Sequence, residues 1–93
     1  MLMVSVSVII GSESDKELGE AAMEMLKAFG VDSELKVLSA HRNPKQLVEY
    51  VEKSEAKVFI TIAGLAAALP GVVAAHTIKP VIGVPKEVKL GGI

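Results

Sequence analysis

A doubly wound α/β domain with a parallel sheet is predicted from three observations. Apolar, β-branched runs alternate along the chain with helix-period segments, in the order βαβαβαβ. The connections between them are short, and crossovers between parallel strands are right-handed. The composition is 51% hydrophobic but only 3% aromatic, so Val, Ile, Leu and Ala must build the core.

Residues 3–10 are apolar and β-branched and then meet Gly11-Ser12-Glu13-Ser14-Asp15, a turn cluster, so they read as a buried first strand. From residue 16 to 29 the apolar positions are Leu18, Ala21, Ala22, Met25, Leu26 and Phe29. That spacing predicts one face of an amphipathic helix, with Gly30 as its left-handed stop. Residues 31–38 alternate polar and apolar, as an edge or near-edge strand does. Asn43 is placed to cap a second helix over residues 44–54, with Pro44 at its first position and Leu47, Val48 and Val51 turned inward.

Residues 57–62 form a third strand, apolar after its first residue. A small-residue turn over 63–68 leads to a short helix over 70–77, and residues 80–84 make a fourth strand opening on Pro80. The tail, 85–93, carries no further strand or helix pattern. The arrangement that fits is three-layered and flavodoxin-like, with strand order 2-1-3-4 and a switch point between strands 1 and 3.

At 93 residues the chain has room for one domain, 1–93. Its net charge of −1 excludes nucleic-acid binding by bulk positive charge. With no Cys there is no disulfide framework or thiolate metal site, and two His are too few for a His-only site. The N-terminus lacks a basic leader region and reads as strand, not signal peptide. An uncharged run over 58–78 reaches membrane-spanning length. Gly64, Pro70 and Gly71 interrupt it, so strand, turn and short helix explain it better than a membrane span.

Ligands of open parallel sheets bind beyond the strands' carboxyl ends. Three segments gather there: 11–15, 39–44 and 63–71. Backbone N–H groups and Ser hydroxyls of Gly11, Ser12 and Ser14 suit a phosphate at a helix start, while a Ser14–Glu17 capping box explains the same residues without a ligand. His41 can exchange a proton near neutral pH, and Arg42 offers a fork for phosphate or carboxylate; both also suit a solvated loop. Ala63 and Gly64 allow close backbone approach or simply tight packing. Asp15 reads equally as a carboxylate for a sugar hydroxyl or as a favourable charge at a helix start. His76, within an apolar helix pattern, reads as structural.

These segments, with Phe29-Gly30-Val31, Leu69-Pro70-Gly71 and Pro80-Val81-Ile82-Gly83-Val84-Pro85, resemble the PurE family along essentially the whole chain. That family comprises N5-carboxyaminoimidazole ribonucleotide mutases and the related aminoimidazole ribonucleotide carboxylases of purine biosynthesis. The resemblance implies that Ser12, Asp15, Ser39 and Arg42 hold the ribose and 5′-phosphate, that Gly11 and Ser14 shape the loop, and that His41 is the general acid/base. It implies a carbamate that loses CO2 inside a small, dry pocket lined around Ala63 and Gly64, and CO2 that adds to ring carbon C4, with no metal or organic cofactor. It further implies a cytoplasmic protein, with no membrane or nucleic-acid partner, working as a homo-oligomer or with a second chain completing the fold.

Two departures stand out. Ala68 lies where the family carries a second His, in a shorter turn. Family chains also continue past Leu90-Gly91-Gly92 into another strand and a helix, so this sequence reads as a shortened relative or as part of a site completed elsewhere. An inactive relative that binds a nucleotide or partner without turnover is the alternative of a different class. An FMN-binding or phosphoryl-receiving module fits less well, lacking stacking aromatics and paired acidic residues after strand 1.

Overall fold

The computed structural model describes residues 4–64 and 68–86. Four strands, β1 (Val6–Ile10), β2 (Ser33–Val37), β3 (Val58–Ala63) and β4 (Val81–Pro85), form one sheet of order β2-β1-β3-β4. Every pairing is parallel, as the sequence predicts. Three helices connect them: α1 (Lys16–Ala28), α2 (Pro44–Lys53) and α3 (Leu69–Ala75). The uncharged stretch over 58–78 resolves into β3 and α3, and among the described residues no helix is long and apolar enough to cross a membrane. The tail beyond residue 86 and the turn residues 65–67 lie outside the described residues.

Alternation along the strands sorts side chains onto two faces. Val8, Ile10 and Ile62 pack against Ala22, Met23 and Leu26 of α1, with Leu35 of β2 beside them. On the other face Ile9, Phe59 and Ala63 meet Leu47 and Val51 of α2 and Leu69 and Val73 of α3. One face therefore carries two helices and the other carries one. Ile82 and Val84, which pair in register with Ile60 and Ile62, are left exposed.

The inward stripe of α1 differs from the sequence expectation. Leu18, Met25 and Phe29 are exposed, Phe29 to 77%. The buried stripe is Gly19, Ala22, Met23 and Leu26, at i, i+3, i+4 and i+7. Gly19 sets this rotation. A Cβ there would lie 2.9 Å from Leu35 Cδ1 and 3.0 Å from Ile10 Cγ2, so the helix approaches the sheet along its one missing side chain. Gly30, at φ +75°, ends the helix as expected.

Element ends shift by a few residues. The β1 ladder begins at Val6, opposite Ser33 and Val58. β4 extends to Pro85, opposite Ala63, which a strand terminus tolerates because only the missing N–H is lost. β2 is an edge strand, as its alternation suggests.

Candidate functional site

A cavity of about 230 Å³ opens at the carboxyl ends of β1, β2 and β3. Gly11, Ser12 and Asp15 line it from the first loop, Ser39, Ala40 and His41 from the second. Ala63, Gly64, Ala68 and Leu69 close it from the third. These three segments are far apart in sequence and meet only because their strands run in one direction.

The first loop turns sharply. Ser12 is extended, and its Oγ accepts from the backbone N–H of Ser14 at 3.0 Å, capping a 3-10 turn over Glu13–Asp15 that leads into α1. The turn falls where the sequence predicts one, with a 3-10 form that the sequence does not specify, and the Ser14–Glu17 capping box does not form: Ser12 is the capping residue, and Asp15 stands at the α1 cap position without a side-chain cap bond. Ser14 is exposed, with its hydroxyl 2.7 Å from that of Ser12. It shapes the loop from outside the cavity. Asp15 is 4% exposed.

The second loop is organised by Ser39. Its buried Oγ accepts from the backbone N–H groups of His41 (3.2 Å) and Arg42 (3.0 Å), leaving its own hydroxyl proton free to donate. Its backbone carbonyl accepts from Asn43 N–H at 2.9 Å, and its N–H donates to Asn43 Oδ1 at 3.3 Å. Asn43 therefore locks the loop where the sequence predicts a side-chain cap on α2, and no such cap bond is made. Arg42 flanks the cavity rather than lining it; its Nη2 donates to the carbonyl of Gly11 at 3.2 Å. His41 is exposed toward solvent at the cavity wall.

The third loop contributes small groups. Among the described residues nothing lies within 4 Å of a Cβ built on Gly64. Gly83 of β4 seats α3 closely, since a Cβ there would come within 3.2 Å of Pro70 Cγ.

One residue was missed by sequence reasoning. Lys86, the residue after β4, donates its backbone N–H to the Ala63 carbonyl at 2.8 Å, and its Nζ lies 2.8 Å from Asp15 Oδ1. The available signal was topological: β4 neighbours β3 in a parallel sheet, so the first residue past its end falls on the ligand edge. His76, by contrast, caps the far end of α3 with Nδ1 3.6 Å from Glu52, away from this crevice.

A larger groove of about 520 Å³ runs beside α2, near Val4, Glu34 and Tyr50. Its buried polar groups satisfy one another: the Tyr50 hydroxyl donates to Glu34 Oε1 and lies 2.5 Å from Ser7 Oγ. Burial, with the Glu34 carboxylate adding to it, pushes the Tyr50 phenol well above its ordinary range. That groove lies away from the strands' carboxyl ends and gathers no imidazole or guanidinium. The smaller cavity brings together hydroxyls, an imidazole, a carboxylate and two nearby cations, which suits a phosphorylated, hydroxyl-bearing ligand and a proton transfer.

Comparison with known proteins agrees with this arrangement. The chain is 56% identical over 88 residues to the N5-carboxyaminoimidazole ribonucleotide mutase of Methanocaldococcus jannaschii, covering 95% of this chain and 56% of that protein. It is 49% identical over 86 residues to the protein of the same name from Saccharolobus solfataricus, covering 89% of this chain and 54% of the relative. Treponema denticola PurE superposes with a TM-score of 0.83 at 31% identity, over 89% of this chain and 55% of that one. The chain thus spans about half the length of these relatives. The sequence pattern of the AIR carboxylase family matches residues 5–93, and with the strand order and loop segments described above, the chain belongs to the AIR carboxylase family.

Proposed function

We propose that this chain carries the nucleotide crevice of a purine-biosynthetic mutase, converting N5-carboxyaminoimidazole ribonucleotide to 4-carboxy-5-aminoimidazole ribonucleotide. The observation that carries the reading is the tying of the His41-Arg42 loop to the Gly11-Ser12 loop around one small cavity. The names of the relatives support the same reaction.

In this reading Arg42 and the Ser12 hydroxyl hold the 5′-phosphate, while Asp15 and Ser39 take ribose hydroxyls. The carbamate C–N bond breaks, its electron pair staying on nitrogen, which receives a proton from His41. Ring carbon C4 then bonds to the released CO2, and its hydrogen leaves as a proton to the His41 imidazole. One proton is given and one taken, so the isomerisation balances without an added reactant. Ala63 and Gly64 keep the cavity small enough that CO2 meets C4 before it meets water.

The whole of 1–93 acts as one domain in this reading, in the cytoplasm, as a homo-oligomer or beside a second chain. The exposed apolar side chains of Leu18, Met25 and Phe29 on α1, and of Ile82 and Val84 on β4, support a covered surface in the working protein.

Purified protein incubated with N5-carboxyaminoimidazole ribonucleotide and followed by chromatography tests the proposal. Formation of the 4-carboxy product above the uncatalysed rate is expected. Binding of 5-aminoimidazole ribonucleotide without product would replace the mutase by a nucleotide-binding role, and neither binding nor product would overturn the reading.

A further inference from the structure

Asp15 is buried at the start of α1, and its carboxylate is 6% exposed. Among the described residues the one cation paired with it is Lys86, at 2.8 Å. Lys86 is anchored independently, since its backbone N–H is bonded to the Ala63 carbonyl at 2.8 Å. The ammonium therefore joins the β3–β4 edge to the first residues of α1 and fixes Oδ1 of Asp15 from one side. A buried carboxylate that loses its cation loses the contact that fixes its orientation. A carboxylate held in one orientation accepts hydrogen bonds from the hydroxyls of a ligand entering the cavity.

We infer that Lys86 is a positioning residue of this site, holding the Asp15 carboxylate oriented toward the ribose hydroxyls of the nucleotide. The inference rests on the function proposed above. It adds a fourth segment, the end of β4, to the three loops that line the cavity. Lys86 also balances the negative charge of Asp15 where an anionic phosphate must approach, so its removal turns the cavity floor negative against its ligand.

The test measures 5-aminoimidazole ribonucleotide binding and mutase kinetics in Lys86→Met and Lys86→Arg. The expected result is a roughly tenfold rise in Kd and KM for Lys86→Met with kcat within about threefold, because orientation of the sugar is lost while proton transfer at His41 is not. Lys86→Arg restores binding to within about threefold. In an Asp15→Asn background Lys86→Met has no further effect on Kd, since Lys86 acts through Asp15. A folded Lys86→Met protein that binds within about twofold of wild type overturns the inference, even if it melts at lower temperature. Should that variant not fold, Lys86→Gln carries the same test: a tenfold weakening supports the role and a twofold one overturns it. Wild-type protein that neither binds nor converts the nucleotide overturns the functional reading itself, and the role of Lys86 with it.

Discussion

The guanidinium of Arg42 donates to the backbone carbonyl of Gly11 at 3.2 Å, joining the loop after β2 to the loop after β1. Arg42 sits one residue beyond His41, and its backbone N–H is held by Ser39 Oγ. One side chain thus ties the loop that carries His41 to the first loop and keeps further donors available for an anion. Replacing Arg42 with Ala is expected to weaken 5-aminoimidazole ribonucleotide binding by about 10- to 100-fold, the range for losing a charge-assisted hydrogen bond. Replacing it with Lys recovers part of the charge but not the fork, and so recovers only part of the affinity. Isothermal titration of both variants measures this directly.

His41 lines the cavity without a side-chain hydrogen bond to another described residue, so it is free to act on a ligand. His41→Asn should abolish product formation while 5-aminoimidazole ribonucleotide binds within a few-fold of wild type, because proton transfer and positioning are separable. Turnover equal to that of wild type would remove His41 from the mechanism.

Ala68 borders the cavity beside Leu69 at the start of α3. An imidazole there would enter the cavity that Ala68 and Gly64 both line. Ala68→His is expected to raise kcat/KM by several-fold with little change in Tm. Unchanged kinetics in a folded variant would show that the site works without that contact.

Tyr50 links two strands from the far side of the sheet, through Ser7 of β1 and Glu34 of β2. Tyr50→Phe strips the fully buried Ser7 hydroxyl of that partner and should destabilise the fold by about 1–3 kcal/mol. Nucleotide affinity should not change, because the network lies away from the strands' carboxyl ends. The phenol's elevated pKa adds a pH signature. The unfolded chain releases this proton from about pH 10 while the fold retains it. Stability tied to Tyr50 is therefore complete below that pH and declines above it, and the difference in stability between wild type and Tyr50→Phe should shrink in alkaline urea melts.

The parallel sheet and its order were legible because each strand is a short apolar run followed by a turn cluster, and right-handed crossovers leave few ways to assemble such runs. The loop from Ser39 to Pro44 was legible for a related reason: its unusual polar residues fall just past a strand end. What escaped sequence reading depends on three-dimensional choice. Ala22 and Leu26 face the sheet as the spacing predicts, but Leu18, Met25 and Phe29 fit the same periodicity and lie outside, because the close approach of Gly19 to Leu35 and Ile10 turns the stripe toward Met23. The identity of the cap was hidden because Ser12 and Ser14 are chemically equivalent candidates, and no periodicity announces the 3-10 turn that Ser12 caps and that contains Ser14. Asn43 sits at the expected cap position yet bonds back to Ser39. Lys86 follows the last strand as an ordinary surface cation would, and its role becomes visible only when β4 is laid beside β3.

The pairing of Asp15 with Lys86 also sets an order of events during synthesis. The ribosome makes Asp15 early and Lys86 late, so α1 can form with its buried carboxylate still unmatched, and the mismatch ends only when β4 docks on β3. Contacts spanning so much of the chain are slow to form, and they give an early intermediate no stabilisation. A nascent chain that has made β1, β2, β3 and α3 thus holds all three loops lining the cavity while Asp15 still lacks its cation. Under the proposed function, nucleotide capture by stalled nascent chains should accordingly strengthen only once Lys86, the residue after β4, has emerged and docked beside Ala63.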